Sequence, residues 1–482
     1  MISPQLIKIL RSLSEEERKS LNDFIYSPYF NKSKAIHLLW EALKKFAPEF
    51  DSPDLNKEKI FEMLYGRKEY KYATIKNLVF TFTGLLETFM ELKSHERNKF
   101  QKEYNSLVYS IVRYLPEMFK KKFTSIIKDY KIKSEGLDLH YLYKYQLIRL
   151  YTSFSSLESK RDKIIFEQGD SLIHFFLIHL FQVHYNIKVF YSAENYSQEN
   201  NLVEKLLNIL DLEKILAEIR KNNPKDFQIV NVYYFLYLCQ TDPENDSFFY
   251  QYKKLLLSLL KTLHNSDFKS LSNGYMNVLS ERSFAGVKGT QKETGEFYKF
   301  LFIHDIDFGN TVSKISLISF SMSIKNFFEA LNNEYAEKFY ERFKDRLIEK
   351  DKKNMENYYL AFLHYSKVDF NKALEYSSKI KMEIDRFKLS VKDLQLKCYF
   401  ELNETESFHY TLDAYRHLVS RNDFINKERK EYTKNFLKVI NYLFEYKTSK
   451  KDTIASIRSE MRNKMLNKEW IIQKLKEIEK QN

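Results

Sequence analysis

Histidine is the residue type here that most readily does chemistry, because imidazole binds metal ions and transfers protons near neutral pH. Of the 11 histidines, His174, His179 and His184 are spaced by five residues. On a helix, that spacing turns each ring about 140° from the previous one. The three rings cannot converge on one ion, so we interpret them as buried or partly buried histidines with separate local partners.

A carboxylate and an imidazole stand three residues apart at Glu406 and His409, and Asp413 and His417 follow on the same predicted helix. Di-iron helical bundles need two E-x-x-H pairs and two further carboxylates. The second pair is missing from this sequence. We therefore predict a hydrogen-bonded surface pair at Glu406 and His409, with neither a metal ion nor another cofactor.

Motifs for phosphate binding and nucleophilic catalysis are also missing. The stretch Gly286-Val-Lys-Gly-Thr290 has some glycines of a phosphate loop but not the order G-x-x-x-x-G-K-[ST], so we interpret it as a flexible linker. The patterns G-x-S-x-G and H-E-x-x-H do not occur. The sequence predicts no catalytic residue, and an enzyme is not expected.

The two cysteines, Cys239 and Cys398, lie in apolar helical surroundings without C-x-x-C or Cys-His spacing. They are interpreted as core thiols of a protein in a reducing compartment. The first ten residues lack the basic and apolar segments of a signal peptide. The richest apolar stretch, 172–191, is interrupted by three histidines, Gln182 and Lys188, which favours a buried helix of a soluble, cytoplasmic protein over a membrane span.

Composition indicates the fold class. A hydrophobic content of 44% and an aromatic content of 16% are typical of a folded chain. Strands need turns rich in glycine and proline, and only 9 Gly and 7 Pro occur in 482 residues. The sequence therefore predicts an all-α protein.

The formal net charge of +13 suits an anionic partner. Cations cluster in segments 119–133 and 447–468, and the first includes Lys120, Lys121 and Lys122 next to Phe119 and Phe123. Aromatic rings among cations can serve nucleic acid, but the same spacing describes an ordinary amphipathic helix. Nucleic-acid binding through these two segments is kept as the alternative function.

Helix signals are clear near the amino terminus, where Ser3 precedes Pro4 and Ser14 forms a capping box with Glu17. Between Ile75 and Met90, apolar residues recur at intervals of three and four, which predicts one buried helical stripe. Five of the nine glycines fall in 274–309. We therefore divide the chain into an amino-terminal helical region (1–135), a middle helical region (136–273), a loop-rich joint (274–310) and a repeat region with capping helices (311–482).

The repeat is clearest in NYYLAFLHYSKVDFNKALEYSSKI, 357–380, which reads as two short helices joined by a polar turn, with Ala373 at their close approach. Ala336 precedes it by 37 positions (373 minus 336), and a third unit spans 394–415 with Phe408 in the alanine position. These residues resemble the tetratricopeptide repeat. The resemblance implies a right-handed α-solenoid of antiparallel helix pairs, although Phe408 and Ser377 depart from its pattern.

The opening LSEEERKSLNDFIYSPYFNKSK, the segment 333–347 and the unit at 394 together resemble a family of long bacterial proteins with tetratricopeptide-like carboxy-terminal halves. No catalytic residue is implied by that resemblance. Repeats of this kind build surfaces for other proteins, so we expect a non-enzymatic scaffold that binds a peptide or helix of an unidentified protein on its concave face. Tyr358, Phe362 and Tyr365 are the candidate anchors in that groove; the alternative is that they are core residues packed under the next repeat.

Overall fold

The computed structural model of the protein describes residues 2–129, 136–154, 162–194, 201–306, 315–381, 385–422, 425–449 and 453–481. Within these ranges, helices and turns make up the structure, and no strand is present. The all-α prediction is confirmed. The chain forms two compact units, one of residues 1–129 with 150–158 and a larger one of residues 130–149 with 159–482.

The first unit begins with four short helices, followed by three longer ones. In chain order they are α1 (Pro4–Ser12), α2 (Glu15–Tyr26), α3 (Lys34–Leu43), α4 (Lys57–Tyr65), α5 (Tyr72–Arg97), α6 (Lys99–Val112) and α7 (Pro116–Asp129). The Ser3 cap and the Ser14 to Glu17 capping box are both present, as predicted. Helix α5 buries the predicted stripe, including Ile75, Phe82 and Phe89, against α1 to α4.

The larger unit continues with eight helices. They are α8 (Leu137–Phe154), whose last residues belong to the first unit, α9 (Asp162–Glu194), α10 (Leu202–Ile209), α11 (Leu212–Asn222), α12 (Pro224–Thr241), α13 (Asp246–Ser258), α14 (Asn265–Ala285) and α15 (Thr290–Ile303). Helix α12 lies at the centre, since it packs against α9, α11, α13 and α14.

The prediction of a loop-rich joint at 274–310 is wrong for the described residues of that range, because α14 and α15 occupy most of them. Two of the glycines that suggested a loop are packing positions inside these helices. A Cβ on Gly274 would lie 2.9 Å from Leu236 Cδ1, and one on Gly295 would lie 2.1 Å from Ala330 Cβ. Glycine here permits close helix contact, while residues 307–310 lie outside the described structure.

The carboxy-terminal part of the larger unit covers the region for which repeats were predicted. Its helices are α16 (Leu317–Glu329), α17 (Asn333–Phe343), α18 (Glu349–Ser366), α19 (Phe370–Ser378), α20 (Asp385–Leu402), α21 (Thr405–Arg421), α22 (Lys427–Ser449), α23 (Ile454–Glu460) and α24 (Lys468–Gln481). Helices α16 and α17, α18 and α19, and α20 and α21 pack in consecutive pairs.

Small residues are buried in two of these pairs. Ala336 in α17 and Ala373 in α19 are both fully buried, as predicted for helix crossings. At the corresponding place in the third pair, Phe408 is also fully buried and stacks on Phe444 of α22, with ring centroids 3.9 Å apart. Phe408 also lies beside Phe400 of α20, with ring centroids 6.4 Å apart, so the larger ring packs against both α20 and α22.

Candidate docking surface

The three aromatic residues predicted to line an open groove belong to the core. Tyr358 and Phe362 are buried, and Tyr358 packs against Phe387 of α20. The Tyr358 hydroxyl lies 2.8 Å from Ser390 Oγ, and burial raises the pKa of Tyr358 to about 12. The prediction that these rings are exposed groove anchors is therefore corrected.

Tyr365 is covered by the carboxy-terminal helix. Trp470 of α24 donates a hydrogen bond from Nε1 to the Tyr365 hydroxyl at 3.2 Å. Burial, assisted by the negative charge of Glu401, raises the pKa of Tyr365 well above its usual value. Sequence reasoning missed this contact because Trp470 lies 105 residues further along the chain.

Charged side chains fill the space next to these rings. Asp393 and Lys397 of α20 are buried, and Lys397 Nζ lies 3.0 Å from Asp393 Oδ2 and donates to Asn467 Oδ1 at 3.0 Å. Asn467 Nδ2 donates to Asp393 Oδ1 at 2.6 Å. Lys325 and Glu329 of α16 complete the cluster, with Lys325 Nζ 3.6 Å from Glu329 Oε1.

The cluster is balanced, with two lysines and two carboxylates. Burial alone would lower the pKa of Lys325, but Glu329 and Asp393 outweigh it and raise the pKa above its usual value. Lys325 therefore stays charged. Because every charge has an opposite partner and Asn467 bridges two of them, the arrangement fixes α16, α20 and the start of α24 together.

The first basic segment is an amphipathic helix. In α7, Phe119 and Phe123 are buried, and Phe123 stacks on Tyr151 with centroids 4.6 Å apart. The Lys122 amino group donates to Ser106 Oγ, while Lys121 is exposed. The rings among the lysines are thus core residues and cannot stack on bases; residues 130–133 of this segment lie outside the described structure.

The second basic segment turns several cations inward. Lys447 Nζ donates to the carbonyl of Phe400 at 2.8 Å, and burial lowers the pKa of Lys447. Lys468 is buried, donates to the carbonyl of Asn463 at 3.0 Å and also has a pKa lowered by burial. Residues 450–452 are not described. Two cations of the segment 447–468 therefore point into the protein, which weakens the alternative of nucleic-acid binding through this segment.

The Gly286 to Thr290 turn is a docking point for the carboxy-terminal segment, which corrects the flexible-linker interpretation. Gly286 and Gly289 both have positive φ, and a Cβ on Gly286 would lie 2.8 Å from Lys468 Cδ. The Glu469 carboxylate accepts hydrogen bonds from the backbone amides of Thr290 at 2.9 Å and Gln291 at 3.4 Å. A side chain of this chain thus occupies the amino terminus of α15.

Each of the three regularly spaced histidines has its own partner, as the interpretation of their spacing requires. His179 Nδ1 lies 2.7 Å from Gln182 Oε1, and His184 Nδ1 lies 3.2 Å from Gln240 Oε1. His174 Nδ1 donates to the carbonyl of Asp170 at 2.5 Å. Among the described residues, no group of three or more His, Cys, Asp or Glu side chains could hold a metal ion.

A buried polar cluster lies between α8, α9 and α12. The rings of Tyr141 and His174 stack with centroids 5.1 Å apart, and His140 meets Tyr141 edge to face. Burial lowers the pKa of His140 to about 4, against an opposing effect of Asp226. The ring is therefore neutral at pH 7. His174 also lines a cleft of about 390 Å³, together with Asp170, Glu218 and other residues of α9 and α11.

Both cysteines are buried, as predicted, and burial raises the pKa of each thiol to about 12. Since the thiolate is the reactive form, neither Cys239 nor Cys398 has the character of a nucleophile. They are packing residues of the core.

Helix α9 presents the surface that sequence reasoning missed. Its inner face is buried through residues such as Leu177, Ile178 and Phe181. Seven apolar side chains on the opposite side are 40% to 72% exposed, and we call them the α9 stripe: Ile165, Phe166, Leu172, Ile173, Phe176, Val183 and Phe190. The prediction of a buried helix holds for one face only.

The signal for this surface was present in the sequence. Asp, Glu, Lys and Arg are all missing between Asp170 and Lys188, and the apolar residues of that run are too many for one buried face. In the described part of the chain, Ile164–Phe190 is the one helix long and apolar enough to cross a membrane, with a mean hydropathy of 1.2 and 33% of the residues in its 18-residue apolar window buried. Such a segment also fits a helix that contacts another protein.

Comparisons of the chain with protein-family models, with curated proteins and with solved structures found no match. The class that the fold defines is an all-α helical protein.

Proposed function

We propose that this chain is a non-enzymatic, cytoplasmic interaction scaffold that binds a helix or peptide of a protein partner. The observation that carries the proposal is the α9 stripe. Monomeric soluble proteins rarely expose contiguous apolar patches of this kind unless another molecule covers them. The amphipathic helix-in-groove mode of recognition uses apolar side chains at the intervals seen in this stripe.

The proposed architecture is a right-handed α-solenoid of antiparallel, tetratricopeptide-like pairs in the region 311–482. The consecutive packing of α16 to α21 and the buried Ala336 and Ala373 support it. The concave face expected from that architecture loses its three aromatic anchors to the core, so the docking surface is assigned to the outer side of α9. Hydrogen exchange resolved by helix would test the array, because repeats coupled to near neighbours open regionally.

A direct test compares three forms of the full chain as bait in extracts of the native cell: the unchanged protein, Phe176→Glu and Phe80→Glu. Phe176 belongs to the α9 stripe, whereas Phe80 is an exposed phenylalanine on α5 of the other unit. The proposal expects specific proteins that the unchanged chain and Phe80→Glu capture and Phe176→Glu loses. Identical capture by all three forms would contradict it.

The alternative proposal is nucleic-acid binding through segments 119–133 and 447–468, and the net charge of +13 supports it. The inward orientation of Lys447 and Lys468 and the burial of Phe119 and Phe123 leave that proposal with the weaker support.

A further inference from the structure

Resting on the proposed function, we infer that the partner covering the α9 stripe is a second copy of this chain. In this arrangement, α9 of each copy packs antiparallel against α9 of the other, about a two-fold axis near Phe176. Such an interface is isologous, so the same patch must complement itself. The area, the charge and the dipole of α9 each bear on this inference.

The area of the stripe fits a stable dimer. A fully accessible phenylalanine presents about 150–250 Å², and the seven side chains are 40% to 72% exposed. They therefore expose on the order of 700 Å² per copy, close to the roughly 800 Å² per partner of a standard interface. Glycine at position 169 adds to this fit, because no atom lies within 4 Å of a Cβ built there and a second backbone can approach.

Charge favours a second copy over an acidic partner. Each copy carries +13, so two copies repel one another unless they meet through an uncharged face. The run between Asp170 and Lys188 has no charged residue, which makes the stripe such a face. An acidic protein or an anionic lipid surface would instead require lysine or arginine beside the apolar residues.

The dipole of α9 favours the antiparallel direction. Glu167 and Lys188 do not set it, because Glu167 lies 3.6 Å from Lys144 and Lys188 lies 3.8 Å from Glu204 of the same copy. A parallel pair would align the two helix dipoles, whereas in an antiparallel pair they oppose each other. The same alignment places Ile165 of each copy beside Phe190 of the other.

Sedimentation velocity over a range of protein concentrations tests the association. We expect a dimer whose dissociation constant rises about a hundredfold in Phe176→Glu, since central aromatic residues carry most of the binding energy. The matched control Phe80→Glu should stay dimeric. Val183→Lys provides a second stripe variant, and circular dichroism checks that each variant is folded.

Cross-linking tests the direction, because both native cysteines are buried and a new surface cysteine is the reactive one. Phe176→Cys should join two copies through a short bis-maleimide reagent. Ile165→Cys alone should not, since antiparallel helices place the two copies of that residue roughly 37 Å apart. A mixture of Ile165→Cys and Phe190→Cys chains should cross-link.

Three outcomes overturn the second copy as occupant: a monomer at every concentration, a dimer unchanged by both stripe variants, or a monomer that binds neutral phosphatidylcholine vesicles through the stripe. The proposed function fails separately. A monomer whose capture of a specific protein is lost in Phe176→Glu would exclude the second copy and leave the scaffold proposal standing.

Discussion

Helices α9 and α18 are both rich in apolar and aromatic residues, and their exposures are the reverse of what their sequences indicate. Tyr358, Phe362 and Tyr365 of α18 lie in an ordinary amphipathic pattern, yet they are covered by α20 and α24. Helix α9 has the composition of a fully buried helix, yet seven apolar side chains on one side are exposed, with Leu180 buried among them. Periodicity describes a helix's own faces, whereas exposure is decided by which other helices pack on them.

The largest effect is expected where α16 and α20 are fixed by buried charge. Asp393→Ala removes the nearer carboxylate of buried Lys397 and leaves only Glu329, 3.9 Å away, which should lower the free energy of unfolding by about 3 kcal/mol, measured by urea denaturation. Asp413→Ala removes a similar pair with Arg416 on the exposed side of α21 and should cost less than about 1 kcal/mol. Equal losses would mean that the region under α18 is not sealed from solvent.

The two faces of α9 should respond differently to the same truncation. Phe181 is 1% exposed, and Phe181→Ala should destabilise by about 3–5 kcal/mol through the cavity it leaves. Phe176→Ala should change stability by no more than about 0.5 kcal/mol at protein concentrations where the chain is monomeric. Thermal unfolding of both variants measures these changes in stability. A large loss of stability in Phe176→Ala would show that the stripe supports the fold of its own copy.

Stability should depend on pH through the cluster behind α9. The pKa of His140 is about 4 in the folded chain and 6.5 ordinarily. Above pH 6.5 both states are neutral. Between pH 6.5 and 4, the unfolded chain takes up a proton that the folded chain does not, so stability falls as pH falls, by on the order of 3 kcal/mol, and then levels off.

The His140→Gln variant is the control for that pH dependence, because glutamine keeps a polar side chain but does not titrate. Its urea midpoints should vary less between pH 6.5 and 4. The pKa of His184 is also lowered mainly by burial. His184 therefore also makes stability fall as pH falls, so some pH dependence should remain in the His140→Gln variant. If the urea midpoints of His140→Gln vary with pH as much as those of the unchanged chain, a group other than His140 causes the pH dependence.

Overpacking tests whether α18 and α19 cross at Ala373. Ala373→Leu should destabilise by about 1–3 kcal/mol because the residue is fully buried. Ser378→Leu adds a similar side chain on the exposed side of the same helix and should be nearly neutral. The unfolding midpoints of the two variants should separate clearly, and coincident midpoints would place Ala373 away from a helix crossing.

The smallest effect is expected from the basic face of α7. We expect little binding of the chain to random DNA or RNA at low salt, and little change when Lys120, Lys121 and Lys122 are replaced by Glu. If the alternative function is right, log affinity for duplex DNA falls with log salt at a slope near −0.9 per phosphate contact. A steep salt dependence in the unchanged chain that becomes weaker in the triple variant would support nucleic-acid binding.

The local parts of the fold were predictable from sequence. Ser14 and Glu17 fix a helix start, Ile75 to Met90 fix a buried stripe, and Ala336 and Ala373 indicate two close crossings, because each signal lies within a few turns of the backbone it governs. Contacts between residues far apart in the sequence were not predictable in the same way. Whether Tyr365 is exposed depends on Trp470, and whether Gly286 is a linker or a packing site depends on Lys468.

The dependence of α15 on Glu469 has a consequence for biosynthesis. Synthesis runs from the amino to the carboxy terminus, so α15 is made long before the carboxylate that caps it and α18 before the tryptophan that covers it. Until α24 has left the ribosome, the Gly286 turn and Tyr365 stay uncovered in the nascent chain. Premature termination before position 465 would therefore yield a chain with these core surfaces open, a form that chaperones and proteases can distinguish from the finished product.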